Sequence, residues 1–320
     1  MRILVTGASG FVGQALVSRL LAEPDHVIRA AYRSPPASPA AKLDICQVGD
    51  LGPHTDWATA VAGIDVVIHC AARVHVMHDT DNNPLAAYRR SNVEGTLQLA
   101  QAAVAAGCKQ FIFLSSIKVN GERTAPGQPF SASTPPAPRD PYGQSKLEAE
   151  QALLALAEQT GLSVTIIRPV LVYGPGVRAN FRSMMQWLQR GIPLPLGAVR
   201  NQRSLVALDN LVDLIITCIG HPAARNQTFL VSDGEDLSTT DLLRRTGNAL
   251  GCRARLLPVP TSLMQICARL LGKDGVAQRL FGSLQVDITH TRSTLDWQPP
   301  VSVDEALRRV AQDFTQGTHR

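Results

Sequence analysis

Aromatic residues are scarce in this chain: four tyrosines, three tryptophans and eight phenylalanines make up 5% of its 320 residues. With no basic run and no aromatics interleaved among basic residues, there is no platform on which bases would stack, and no nucleic-acid partner is expected. Cys-x-x-Cys and His-x-x-x-His are both absent. The six cysteines, at 46, 70, 108, 218, 252 and 267, are scattered. That excludes a structural metal site and a disulfide framework, and reduced thiols point to the cytoplasm. No apolar run approaches the roughly 20 residues of a bilayer-spanning helix; the longest, around Leu214 to Ile219, is far too short. Met1-Arg2 leads straight into a strand pattern, so no secretory leader is expected. Charge is also sparse, at 18%, and lopsided: residues 244–320 hold eleven Lys/Arg against six Asp/Glu, while residues 1–243 balance, so the whole net +5 lies in the last quarter. The plain reading is a solvated basic face; the alternative is an anionic substrate or membrane surface nearby.

What is present is an ordinary globular balance, with 45% hydrophobic residues, in a length that suits one large domain or a large and a small one. Residues 2–6 form a short β-branched run, read as a buried parallel strand. Gly7-Ala8-Ser9-Gly10-Phe11-Val12-Gly13 follows at once, then an apolar-periodic helix to about Leu21. Glycines between strand and helix allow a tight turn, close approach of a pyrophosphate, and placement of that phosphate on the helix N-terminus. The second strand, residues 26–33, lacks the terminal acid that would bond a ribose 2′-hydroxyl in an NAD site. Ala31 and Tyr32 stand there, followed by Arg33, whose guanidinium suits a 2′-phosphate. NADP(H) is therefore favoured, with NAD(H) as the alternative if Arg33 merely opens the proline-rich loop that follows. Asp50-Leu51 ends a third strand, where the carboxylate can accept from an adenine amino group. Residues 65–72 form the fourth strand, and the small Ala71 and Ala72 leave room for a nicotinamide ribose. His75 and His78 lie in the loop beyond, either on the surface or near substrate.

Asn92 opens an Ala/Leu-rich helix to about Ala106, and residues 111–114 form the fifth strand, ending in Ser115-Ser116. Twenty-six residues after Ser116 comes Tyr142-Gly143-Gln144-Ser145-Lys146. Tyrosine and lysine four apart share one helix face. The ammonium can lower the phenol's pKa from its usual value of about 10, and such a phenol exchanges protons with a carbinol or ketone oxygen that a nearby serine also holds. Residues 122–141 read as a long loop over the site. A helix spans 142–159, and residues 162–168 form the sixth strand, closed by Pro169. Alternating strand and helix patterns to this point mean an α/β fold with a right-handed, doubly wound parallel sheet, a Rossmann arrangement in residues 1–169. Residues 170–320 read mainly as a smaller α/β substrate lobe, with some segments returning to the sheet. Within it a helix is expected over 180–189, strands at 204–207 and 229–232, a helix from Asp209 to Ile219, and a capped helix start at Ser238.

With Gly7-x-x-Gly10-x-x-Gly13, Asp50-Leu51, Ser115-Ser116, Tyr142-x-x-x-Lys146 and Arg168-Pro169 in place, the chain resembles the extended short-chain dehydrogenase/reductases, the NAD-dependent epimerases and dehydratases of nucleotide sugars. The resemblance implies catalysis by Ser116, Tyr142 and Lys146, with Ser116 and Tyr142 on the reacting sugar oxygen and Lys146 on the nicotinamide ribose. It adds Phe11, Val12, Leu51, Asn92, Ser115 and Pro169 to the cofactor residues. Asn180 and Arg203 would touch the sugar-nucleotide pyrophosphate, with Arg279 a looser match; Leu196 and Lys118 complete the substrate set. Two departures narrow the activity. Dehydratases carry Asp-Glu after the catalytic Ser/Thr, where this chain has Ile117-Lys118; epimerases usually carry the missing acid at the second strand's end. The stretch from Ser115 to Glu122 resembles a bacterial subgroup that reduces a UDP-4-keto-6-deoxy-N-acetylhexosamine with NADPH to UDP-N-acetylquinovosamine, for surface polysaccharide (O-antigen). A UDP-N-acetylhexosamine 4-epimerase with tightly bound NAD is the alternative, and a non-catalytic NADP-binding regulator a remote one. The resemblance also implies a homodimer built on helices 95–106 and 146–157. Whether the nucleotide is UDP, dTDP or GDP, and which C4 configuration results, stay open.

Overall fold

Runs of Val, Ile and Leu without polar alternation need cover on both faces, and here they become the strands of a parallel sheet. The structure, a computed structural model, describes residues 1–34, 42–74, 83–177, 179–272 and 274–317. Its strands are β1 (Arg2–Thr6), β2 (Val27–Tyr32), β3 (Asp44–Gln47), β4 (Val66–His69), β5 (Gln110–Leu114), β6 (Ser163–Pro169), β7 (Leu171–Tyr173), β8 (Arg203–Ala207), β9 (Gln227–Val231) and β10 (Asp236–Leu237). Seven form one sheet in the order β3-β2-β1-β4-β5-β6-β9, and β10-β8-β7 form a second, small one. Every pairing in the large sheet is parallel.

The helices are α1 (Phe11–Leu21), α2 (Ala58–Val61), α3 (Pro84–Tyr88), α4 (Gly95–Ala105), α5 (Pro141–Thr160), α6 (Ala179–Gln189), α7 (Leu208–Thr217), α8 (Thr239–Ala249), α9 (Thr261–Leu270), α10 (Asp274–Phe281), α11 (Thr289–Leu295) and α12 (Val303–Gly317). One core joins α1 and α7 to one face of the large sheet, through Leu16, Leu20, Leu211 and Ile215 among others. The other face is covered by α2, α4 and α5, through Ala60, Leu99, Ala103 and Leu153. A third cluster packs α6 and α12 about β7 and β8, with Tyr173 stacked on Phe181.

The chain leaves β1 towards β3 and then crosses back to β4 on the other side of β1. Helices therefore diverge outside the carboxyl ends of β1 and β4, the place where doubly wound sheets bind ligands. The Rossmann α/β reading holds. Several boundaries differ from the sequence expectation. The second strand stops at Tyr32, so Arg33 stands outside it. The third stops at Gln47, and Gly49, at φ +70°, turns the chain before Asp50, so Asp50 does not end a strand. The fourth stops at His69, leaving Ala71 and Ala72 in irregular chain. Asn92 lies inside a π-helical turn, Arg89–Glu94, that precedes α4. Ser238 caps α8 as expected, accepting from the Asp241 amide.

Candidate active site

Three glycines shape the cleft's floor. Gly7 has φ +68°, a left-handed conformation that favours glycine, and a Cβ on it would lie 2.6 Å from the Ala71 nitrogen. A Cβ on Gly13 would lie 2.2 Å from the Gly7 carbonyl oxygen. The Gly10 amide donates to that same oxygen at 2.8 Å, and Gly10 caps α1 without a side-chain bond. The N-terminus of α1 thus meets the cleft as backbone amides with their partial positive charge.

The cleft is a cavity of about 1780 Å³, larger than the roughly 300–1,000 Å³ of a single small-ligand pocket. Gly7, Gly10, Phe11, Val12 and Gly13 line it together with Arg33, Asp50 and Leu51 and with Ala71, Ala72, Ser115, Ser116, Tyr142, Lys146 and Pro169. A glycine floor that any side chain would fill, a helix N-terminus at the cleft and a cavity of this volume fit a nicotinamide dinucleotide.

At the reactive end, α5 begins at Pro141 after its cap Asp140, whose carboxylate accepts from the Gly143 amide at 2.6 Å. That register brings Tyr142 and Lys146 to Ser116 at the end of β5. Tyr142 and Ser116 line the cleft together, and the Tyr142 ring stands edge-on to Tyr88 at 6.1 Å. Burial pushes the phenol's pKa up; Asp140 and Tyr88 push the same way, and only Ser116 opposes them. The expected lowering by Lys146 is therefore not met, because desolvation of the phenolate dominates. Lys146 is almost wholly buried. Its ammonium donates to the Leu114 carbonyl at 2.8 Å and sits over the Phe113 ring. Burial lowers its pKa to about 8. Cys70, beside it, is raised by burial to about 12 and stays a neutral thiol.

Several residues that sequence reasoning passed over hold these groups in place. His69 is fully buried, bonded to Thr6 Oγ1 at 2.6 Å and Thr96 Oγ1 at 2.9 Å, and burial drops its pKa to about 3, so it stays neutral. Glu150 lies one turn beyond Lys146. It accepts from the Ser115 hydroxyl and pairs with Arg168, at 2.5 Å for Nη2 and 3.0 Å for Nε. Arg168 in turn reaches Asn120 Oδ1 at 3.0 Å. The one available signal was an acid at helical spacing from Lys146 and an arginine at the end of β6.

Other expected site residues are placed differently. Asn92 is buried with its amide spent inside the protein: Oδ1 accepts from the Arg73 amide, and Nδ2 donates to Arg73 O and Ser145 Oγ. It positions a loop against α5 rather than facing the cleft. The Ser115 hydroxyl points to Glu150, so only its backbone is left for the cleft. Lys118 is held by Asp140 and, at 3.7 Å, by Glu122. Arg33 is exposed, with Nη1 at 3.4 Å from Asp50 Oδ1. Leu196 gives its carbonyl to Thr240, and Arg203 donates to the Gly282 carbonyl at 3.1 Å; neither lines the cleft. The side chains of Asn180 and Arg279, and the whole of His75 and His78, lie outside the described residues.

A glycine-floored cleft at the switch point, with Ser116, Tyr142 and Lys146 at its end, defines a dinucleotide-dependent α/β enzyme. The NAD dependent epimerase/dehydratase family profile matches residues 3–232, and the chain belongs to that family. A UDP-glucose 4-epimerase of Vibrio cholerae is 48% identical over 322 residues, covering 99% of this chain and 97% of its own. Among solved structures, MoeE5 in complex with UDP-glucose and NAD superposes with a TM-score of 0.75 at 26% identity over the full length of both chains. The UDP-glucuronic acid 4-epimerase of Bacillus cereus, with NAD, gives a TM-score of 0.78 at 21% identity over 99% of both and shares the fold.

Proposed function

We propose that this chain is an NADPH-dependent 4-keto reductase of a UDP-linked 4-keto-6-deoxy-N-acetylhexosamine, with UDP-N-acetylquinovosamine as product. The observation that carries the reading is the end of β2. Ala31 and Tyr32 are buried there and the next side chain is the exposed Arg33, so β2 itself ends without a carboxylate for the ribose hydroxyls, and the cation that follows, 3.4 Å from Asp50, could turn to a 2′-phosphate. Such a rim favours a cofactor that exchanges every cycle. Lys118, the second residue after Ser116, is bound to Asp140 and Glu122. No acid–base pair follows Ser116 to remove water from a sugar, so the 4-keto substrate must arrive ready-made from a nucleotide-sugar dehydration.

The residues divide the work as follows. Gly7, Gly10 and Gly13 with the α1 N-terminus hold the pyrophosphate; Phe11, Val12, Leu51, Ala71, Ala72 and Pro169 line its path, and Asp50 and Arg33 receive the adenosine end. When bound, the dinucleotide supplies the hydride. Ser116 and Tyr142 hold the C4 carbonyl oxygen, and Tyr142, kept protonated by its raised pKa, donates a proton to that oxygen. Lys146 orients the ribose. Asn180, Arg203 and Arg279 remain the candidates for the sugar-nucleotide pyrophosphate, and a homodimer through α4 and α5 completes the reading.

A second reading, a UDP-hexose or UDP-N-acetylhexosamine 4-epimerase with retained NAD, is favoured by the Vibrio cholerae relative. There Tyr142 would take a proton in the first half-reaction and return it in the second, so its raised pKa does not separate the two readings. Incubation with UDP-, dTDP- and GDP-4-keto sugars and NADPH, with NMR of the products, tests the proposal. A new axial or equatorial C4 proton supports it; unchanged ketone in every case, together with turnover of UDP-glucose, overturns it.

A further inference from the structure

Residues 242–273 contain six Lys/Arg and no Asp or Glu. This stretch includes α9, a helix none of whose residues is buried. Leu263, Ile266 and Leu270 fall at i, i+3 and i+7, and so form one stripe. With Leu257 before the helix and Leu271 after it, these five side chains are between 51 and 82% exposed. α9 packs against α10, while the stripe itself faces outward. Scattered exposed leucines are ordinary, but a continuous stripe with this exposure marks an interaction surface. Arg253 and Arg255, on the segment leading into α9, and Arg269, in its last turn, are also exposed.

We propose that α9, with Leu257 and Leu271, docks the protein reversibly on an anionic bilayer surface. An apolar helix face flanked by basic residues is the pattern of interfacial helices. A stretch without a single acid complements anionic headgroups, and it would oppose an identical basic stretch on a second copy. No helix among the described residues is long and apolar enough to cross a membrane, so the chain lies on the surface and inserts only side chains.

The test is co-sedimentation of the full chain with vesicles of phosphatidylcholine alone and with 30% phosphatidylglycerol, with chain mass followed by light scattering. Binding to the anionic vesicles only, weakened by 0.5 M salt, is expected. The triple variant Leu263→Gln, Ile266→Gln, Leu270→Gln should lose it, and Arg253→Gln, Arg255→Gln, Arg269→Gln should weaken it by roughly 5-fold per arginine. Thermal melting and NADPH binding serve as fold controls, since none of these residues lines the cofactor cleft. Absence of binding to anionic vesicles overturns the proposal, as does binding that the leucine/isoleucine variant keeps. A native oligomer that the same variant dissociates, without vesicle binding, would give the face to a second copy and overturn it as well.

Discussion

Tyr142 and Lys146 sit on consecutive turns of α5, yet the cleft treats them in opposite ways. Burial raises the phenol's pKa and lowers that of the ammonium to about 8. Both shifts disfavour charge, and both follow chiefly from burial in the cleft. Tyr142→Phe should lower turnover by a factor on the order of 10² to 10⁴ with NADPH binding nearly intact; near-native rates by stopped-flow would assign the proton to another group. Lys146 also marks stability. Its folded pKa of about 8 lies below lysine's ordinary 10.5, so the unfolded chain binds more protons between those limits and stability rises with pH across that window. The full cost of burying the charge, on the order of 3 kcal/mol, persists below pH 8. Urea melts at pH 7 and pH 9.5 should show the native protein gaining stability relative to Lys146→Met. A constant difference between the two would exclude this origin.

At the scale of elements, the glycine turn and the end of β5 are each fixed by contacts that admit no extra atom or missing charge. Gly13→Ala would drive a methyl to 2.2 Å from the Gly7 carbonyl, so the turn must open. NADPH binding should be lost by isothermal titration, while the far-UV circular dichroism spectrum stays native-like. Glu150→Gln would leave Arg168 buried without its carboxylate, costing roughly 3–5 kcal/mol; a smaller change in denaturant midpoint would mean that the pair is relaxed by water. The strand–turn–helix unit and the Tyr-x-x-x-Lys pair were legible in the sequence because their signals are local, a glycine spacing and an i,i+4 face. The Ser115–Glu150–Arg168–Asn120 network was not, because its members meet only when β5, α5 and β6 pack. Asn92, given to the cofactor by the resemblance, is turned inward for the same reason: Ser145, 53 positions on, takes its amide. β7 is too short to show a period and is placed by its pairing with β8, while α11 is placed by β9 and α12 by α8.

The whole molecule joins a sheet legible from its alternation to a rim whose chemistry rests on one exposed residue. Arg33 and Asp50 face each other at the adenosine end. Arg33→Asp removes the cation and adds a carboxylate there, and should cut the preference for NADPH over NADH by roughly 10- to 100-fold. Equal activity of the native protein with the two cofactors would make Arg33 an ordinary loop residue.

The central claim is that the cofactor leaves after each hydride transfer. It is tested by following absorbance at 340 nm while UDP-4-keto-6-deoxy-N-acetylhexosamine is added to enzyme and excess NADPH, with UDP-N-acetylglucosamine and UDP-glucose offered in parallel without added cofactor. The expected result is one NADPH consumed per keto sugar and no change in either UDP-sugar. Protein that carries NAD through purification, interconverts the gluco and galacto epimers and spares NADPH would contradict it.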